Sequence, residues 1–221
     1  MVNVRIWDLP TRLFHGALAL SVLGLVITGQ AGGDAMVWHF RLGYAVFTLL
    51  LFRLCWGWVG GHWSRWMQLP LSWRSLLAYR QGLATPALTT GHNPAGSWSV
   101  LAMLCWLAMQ VATGLVSDDE IANAGPLTSL VSAAAVSAAT AWHKGLGKSV
   151  LLALVLLHVG AVLWYKIQKK QDLLSAMLHG DKLLAQEMPA SRDDTPSRVL
   201  ALLVLLVCSL AVRWVTTLGT P

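Results

Sequence analysis

Four of the seven histidines in this 221-residue sequence fall within runs of apolar residues: His15, His39, His143 and His158. An imidazole in such a setting titrates near neutral pH, relays a proton, or offers a ring nitrogen to a metal. Taken singly, each reads equally well as a polar group at the end of an apolar segment. Four in a pattern are harder to dismiss, and the pattern depends on the elements that carry them.

The chain is 56% hydrophobic and 12% charged, with a mean hydropathy of +0.59. Soluble domains carry roughly 25% charged residues, so composition points to an all-α integral membrane protein. Five spans are predicted, at about 12–30, 38–59, 97–117, 141–166 and 197–216. Pro10 suits a helix start, and "ITGQAGGDA" is a poor signal-peptide cleavage region, so the first span is kept as part of the mature chain. The connection at 60–96 is expected to carry a short helix around Ser72–Arg80. The one at 167–196 reads as helical at "DLLSAMLHGDKLLAQ" and as a polar loop at "PASRDDTPS". No internal repeat stands out.

The formal charge of +6 carries no basic helix or aromatic-basic stripe, which excludes nucleic acid as a partner. It follows membrane topology instead. Twelve of the sixteen Lys and Arg residues fall on one side, which makes the N-terminus cytoplasmic and the C-terminus periplasmic. Trp7 is expected at the interface, with Trp38, Trp58, Trp63, Trp98, Trp142, Trp164 and Trp214 near span ends. Cys55, Cys105 and Cys208 have neither disulfide nor metal spacing and read as buried small hydrophobes.

With this topology His15 lies near the cytoplasmic end of the first span. His39 and His143 open the second and fourth spans at the outer face. His158 lies fifteen residues beyond His143, about 22 Å deeper at 1.5 Å per residue. Fifteen residues are a little over four turns, so both imidazoles of the fourth span project to broadly the same side. Depth therefore pairs His39 with His143 and His15 with His158, each pair drawn from different helices. Two histidines without a carboxylate or thiolate are a poor zinc site. Haem brings four nitrogens of its own and needs only axial ligands. Two imidazoles fill both axial positions, leave none for oxygen and favour electron transfer. Two haems at different depths would conduct electrons across the membrane.

Arg41 and Lys144 lie within two residues of the outer histidines and are candidates for the outer haem propionates. Arg12 and Arg53 are candidates for the inner ones. Each of these four cations separately reads equally as an interfacial residue. Gly16, Gly43, Gly145, Gly147 and Gly160 would let a porphyrin approach the backbone.

A competing reading is a histidine-containing transporter or proton relay for a metal ion. It calls for acidic partners and broken or repeated helices, and the five spans contain no Asp or Glu. A third is a non-catalytic anchor, which has no use for depth-matched histidines. Of the loop histidines, His179 reads as exposed. "GHNP" at 91–94 reads first as a turn; the functional alternative has His62 or His92, with Asn93, lining a quinone pocket. "SDDE" at 117–120 reads as a solvated loop or an acidic docking patch.

The stretches "VRIWDLPTRLFHGAL", "WHFRLGYAVFTLLLFRLCWGWVGG", "GHNPAGSWSVLAMLCWLAMQVATGL" and "HKGLGKSVLLALVLLHVGAVLWY" resemble the bacterial cytochrome b561 family, in collinear order over about residues 3–182. That family includes the b-type cytochrome subunits of nickel–iron hydrogenases. The resemblance implies a four-helix transmembrane core with two non-covalent b-type haems, whose family ligand positions match His15, His39, His143 and His158. It also implies electron exchange in the inner membrane between a quinone pool and a periplasmic redox partner, a cytochrome or a hydrogenase-type subunit. On this reading no side chain is catalytic, and the chain is a quinone oxidoreductase or the electron-transfer subunit of an oxidoreductase complex. Residues 1–182 form the core, 183–196 a polar connection and 197–221 an additional transmembrane helix. That fifth helix docks a partner, joins two copies as a homodimer or anchors the chain; the sequence leaves the three open.

Overall fold

The computed structural model describes residues 1–219, and five of its helices are long and apolar enough to cross a membrane. Apolar runs of this length form helices because lipid offers the backbone no hydrogen-bond partner, so every N–H and C=O must be satisfied within the segment. The order is β1 (Val2–Arg5), α1 (Leu9–Ala31), α2 (Met36–Val59), α3 (Trp73–Arg80), α4 (Pro94–Leu115), α5 (Ala133–Trp142), a π-helical turn (His143–Gly147), α6 (Lys148–Gln168), α7 (Leu173–His179), β2 (Asp181–Leu184) and α8 (Thr195–Thr217). The spans come out where hydropathy puts them, with one extension. The fourth apolar helix begins at Ala133, capped by the Ser132 hydroxyl accepting from Ala135 N, well before the expected residue 141.

The chain divides into two compact units. The first comprises Met1–His15, Arg53–Ala102 and Leu157–Val204; the second comprises Gly16–Phe52, Met103–Leu156 and the described residues from Leu205 onward.

The first unit is organised around Asp8, whose side chain is completely buried. One carboxylate oxygen caps α1 by accepting from Thr11 N at 2.7 Å and also accepts from Trp56 Nε1 at 3.2 Å. The other accepts from Gly61 N at 2.9 Å and Ser64 Oγ at 2.8 Å. A carboxylate removed from water needs this many donors to offset its desolvation. The N-terminal strand is held by β2, which pairs with it antiparallel, Val2 opposite Leu184 and Arg5 opposite Asp181. Arg5 Nε reaches Asp181 at 2.7 Å, and Arg5 Nη1 reaches Asp193 at 3.2 Å. The stretch through Ser191 and Asp193 is bonded along its length. Ser191 N donates to Arg5 O, Ser191 Oγ donates to Ile6 O, and Asp193 accepts from Leu9 N.

Three expectations are corrected here. The helix expected through residue 186 stops at His179, because Gly180 takes a left-handed φ of 93° and the chain turns back into β2. Gly180 O then accepts from both Ile6 N and Trp7 N. Trp7 and Trp63 are 4% and 5% exposed and pack with Val4, Ile6 and Ala176, so they are core residues and not interfacial anchors. Trp38, Trp58, Trp98, Trp164 and Trp214 are exposed, as a membrane-interface belt requires. Cys55 and Cys105 face outward, and only Cys208 is buried.

Replacing Asp8 strands four donors in a site that water does not reach. Asp8→Ala is expected to cost on the order of 3–5 kcal/mol, and Asp8→Asn, which keeps one acceptor oxygen, distinctly less. Thermal unfolding of the detergent-solubilised protein checks the order of the two.

Candidate functional site

In the first unit α1 and α6 bring His15 and His158 together, with ring centroids 6.3 Å apart and ring planes inclined at 52°. Gly160, in the same unit, borders open space: a Cβ added there would meet nothing within 4 Å. The same unit holds Arg12, Arg53 and Lys182. Arg12 Nε and Arg53 Nη1 are buried and have no hydrogen-bond partner, although Arg12 Nη2 donates to Leu178 O. The Arg53 guanidinium sits 4.1 Å from the Trp66 ring centroid, which fixes its plane.

His92 belongs to the same unit. Its ring lies 4.7 Å from that of Trp7, and its Nδ1 is enclosed without a partner, though the residue as a whole is only half-buried. Burial, then the nearby charges of Arg53 and Lys182, push the His92 imidazole down to about 3. Lys182 Nζ donates to Thr90 O at 2.7 Å, and burial lowers it to about 8. Asn93 is engaged at both ends of its amide. Its Oδ1 caps α4 by accepting from Gly96 N at 2.7 Å, and its Nδ2 donates to Tyr165 Oη at 3.0 Å. Tyr165 in turn bonds Tyr79 of α3. His62 occupies a short turn after α2 and meets Trp63 edge-on at 4.8 Å. The structure thus puts His92 in the cationic cluster and Asn93 in a helix cap.

In the second unit α2 and the π-helical turn bring His39 and His143 together, with centroids 6.1 Å apart and planes at 85°. Gly43 and Gly145 border open space, whereas Gly147 packs against Gln110 and Trp142. Gly145 has the only non-helical backbone in that turn, at φ −98° and ψ −109°, and π-turns of this kind are frequent at functional sites. The Arg41 guanidinium lies 4.9 Å from the Trp38 ring centroid. Lys144 makes no ion pair among the described residues.

The residues that steer these two rings escape the histidine count. His39 Nδ1 donates to Leu25 O at 3.1 Å, with Thr28 Oγ1 at 3.3 Å. His143 Nδ1 donates to Gln110 O at 2.9 Å, with Thr113 Oγ1 at 3.4 Å. Gln110 also bonds His143 O through its Nε2 at 3.2 Å, and Trp106 Nε1 donates to Gly147 O at 2.8 Å. The signal was a short repeat, "LVITG" at 25–29 and "QVATG" at 110–114.

Among the described residues no three His, Cys, Asp or Glu side chains converge on a metal site. A bare cation therefore lacks ligands, and a group bringing its own four nitrogens does not. At about 2 Å per metal–imidazole bond, two rings sharing one metal have centroids about 6 Å apart, which both pairs match. The open glycine faces and the unpartnered arginine atoms suit a flat macrocycle with anionic side arms.

A family profile described as prokaryotic cytochrome b561 matches residues 6–180. Similar proteins include a probable Ni/Fe-hydrogenase B-type cytochrome subunit of Azotobacter vinelandii, 26% identical over 84% of this chain and 91% of that one. The protein with the same description from Bradyrhizobium diazoefficiens is 25% identical over 81% and 86%. The probable Ni/Fe-hydrogenase 1 B-type cytochrome subunit of Escherichia coli K12 is 22% identical over 81% and 91%. No solved structure matches the chain.

His92 carries a pH signature. Its folded value lies below the ordinary 6.5, so the unfolded chain binds the extra proton first. Stability is full above about pH 6.5 and falls as the pH drops from there towards 3. His92→Gln is expected to flatten this acid limb in melting-temperature series between pH 7 and pH 4.

Proposed function

The chain belongs to the prokaryotic cytochrome b561 family, and on that premise we propose that it is a di-haem b-type cytochrome carrying electrons across the bacterial inner membrane between quinone and a periplasmic redox partner. The observation that carries the reading is the pair of imidazole couples, with centroids 6.3 and 6.1 Å apart; Gly160 in the first unit and Gly43 and Gly145 in the second leave open space where a Cβ would stand.

His15 and His158 would hold the inner haem, and His39 and His143 the outer. Haem bound there would supply a one-electron couple suited to electron transfer. The protein's part is to hold ring planes, exclude water and compensate charge. Arg12 and Arg53 offer unpartnered N–H groups to the inner propionates. Arg41 and Lys144 serve the outer ones. Aligned donors in a water-poor site stabilise an anion far more than they would in bulk water.

The N-terminus is cytoplasmic by the distribution of Lys and Arg, which leaves the C-terminus in the periplasm. Quinone approaches beside the inner haem, where His62, His92 and Asn93 are the candidate lining residues. Asn93 acts there by holding the start of α4, since its amide is already engaged at both ends. The periplasmic partner is a nickel–iron hydrogenase or a soluble cytochrome. The relatives' descriptions favour the former. Residues 1–182 supply the haem core, and α8 is free to anchor the chain, dock that partner or join two copies.

Reduced-minus-oxidised spectra with haem quantified per chain test this reading. Two low-spin b haems are expected in the wild type. One should remain in His158→Ala and one, with a different spectrum, in His39→Ala. Haem-free protein made with ample haem supply would return the metal transporter to the front.

A further inference from the structure

The two Val-x-Thr-Gly segments lie on different helices, α1 and α4, yet they present the same three groups to the His39–His143 pair. The first is a backbone carbonyl, that of Leu25 or Gln110, accepting from the imidazole Nδ1 at 3.1 or 2.9 Å. The second is a threonine hydroxyl three residues on. Thr28 Oγ1 gives its proton to Gly24 O at 2.7 Å, and Thr113 Oγ1 gives its proton to Met109 O at 2.8 Å. Each hydroxyl therefore faces its histidine only as an acceptor, at 3.3 and 3.4 Å. Two acceptors and no donor put the imidazole proton on Nδ1 and leave the Nε2 lone pair directed away from the supporting helix.

The third group is the glycine that follows. A Cβ at Gly29 would stand 3.1 Å from His39 Cε1, and one at Gly114 would stand 3.0 Å from His143 Cε1. Any larger residue pushes the ring. No protein acceptor of this kind meets Nδ1 of His15 or His158 among the described residues, so the device serves one pair alone.

We infer that Thr28–Gly29 and Thr113–Gly114 are a duplicated pair of positioning elements that set the angle and basicity of the His39 and His143 imidazoles, making the haem they hold the lower-potential one of the two. The inference rests on the di-haem reading above. An Nδ1–H shared with a carbonyl and a hydroxyl oxygen pushes electron density towards Nε2, which favours ferric over ferrous iron. The His15–His158 haem, lacking these acceptors and sharing its unit with two arginines that each keep one unsatisfied nitrogen, is held at the higher potential.

The test is a redox titration of the full-length detergent-solubilised protein, followed optically and by electron paramagnetic resonance of the ferric haems. Thr28→Val and Thr113→Val keep the side-chain shape and remove the acceptor. Both should retain two haems per chain and raise the midpoint of the lower-potential haem while the other stays put. Thr→Ser at either position should restore it. Gly29→Ala and Gly114→Ala should shift the resonance of that same haem, because the ring must yield by a few tenths of an ångström. Thr48→Val, which removes the similar hydroxyl bond to Tyr44 O at 2.9 Å without a neighbouring imidazole, should move neither midpoint. Loss of one haem supports the assignment if the survivor matches that of His39→Ala, and overturns it if it matches that of His158→Ala. Unchanged midpoints and resonances, or equal shifts of both haems, would overturn the positioning role and leave the di-haem reading standing. A wild type with fewer than two haems would remove both.

Discussion

A carboxylate that no water reaches has to be surrounded by donors, and Asp8 recruits them from three places at once: the first turn of α1, the end of α2 and the turn that follows α2. The α1 turn that it caps carries Arg12, with His15 one turn further on. The end of α2 that it binds through Trp56 carries Arg53 just below. Gly61 has to be glycine there, since a Cβ would run into the Asp8 carboxylate and stand 2.9 Å from Ser191 Cβ. One buried anion thus sets the register of the helix turns that carry Arg12 and Arg53. Among the described residues it is the acid whose charge acts on Arg53, and Arg53 Nη1 still lacks a hydrogen-bond partner.

The two histidine pairs are supported in physically different ways. The first shares its unit with arginines that each keep one unsatisfied nitrogen, and among the described residues its rings meet no protein acceptor. The second sits on neutral backbone and hydroxyl groups that hold the ring protons. Two pairs of imidazoles therefore do not make equal sites, because hydrogen bonding and local charge tune the electronics of an imidazole pair.

Much of this was legible from residue order because the membrane makes it so. A span needs about 20 apolar residues, and a histidine inside one is conspicuous. Depth along a helix is simple counting, and residue order alone pairs His15 with His158 and His39 with His143. The clasp between β1 and β2 was not legible. Four-residue strands have too little periodicity to announce themselves, and their pairing joins residues some 180 positions apart. The burial of Trp7 and Trp63 follows from that clasp and was hidden with it. Thr28 and Thr113 went unnoticed for another reason. A threonine in an apolar run is tolerated by bonding its own helix, so nothing in its type reveals that its oxygen faces an imidazole on another one.

The clasp also imposes an order in time. Val2–Arg5 leaves the ribosome before its partner strand and the Ser191–Asp193 strap, which come roughly 180 residues later. Until then Ile6, Trp7 and the outer edge of β1 have nothing to bond, and the unit that holds His15 has no lid over its polar end. Four of the five membrane helices are complete before that lid exists. The chain therefore passes through a stage, set by synthesis alone, in which the helices that carry His15 and His158 are already made while the segment that seals their surroundings is still to come.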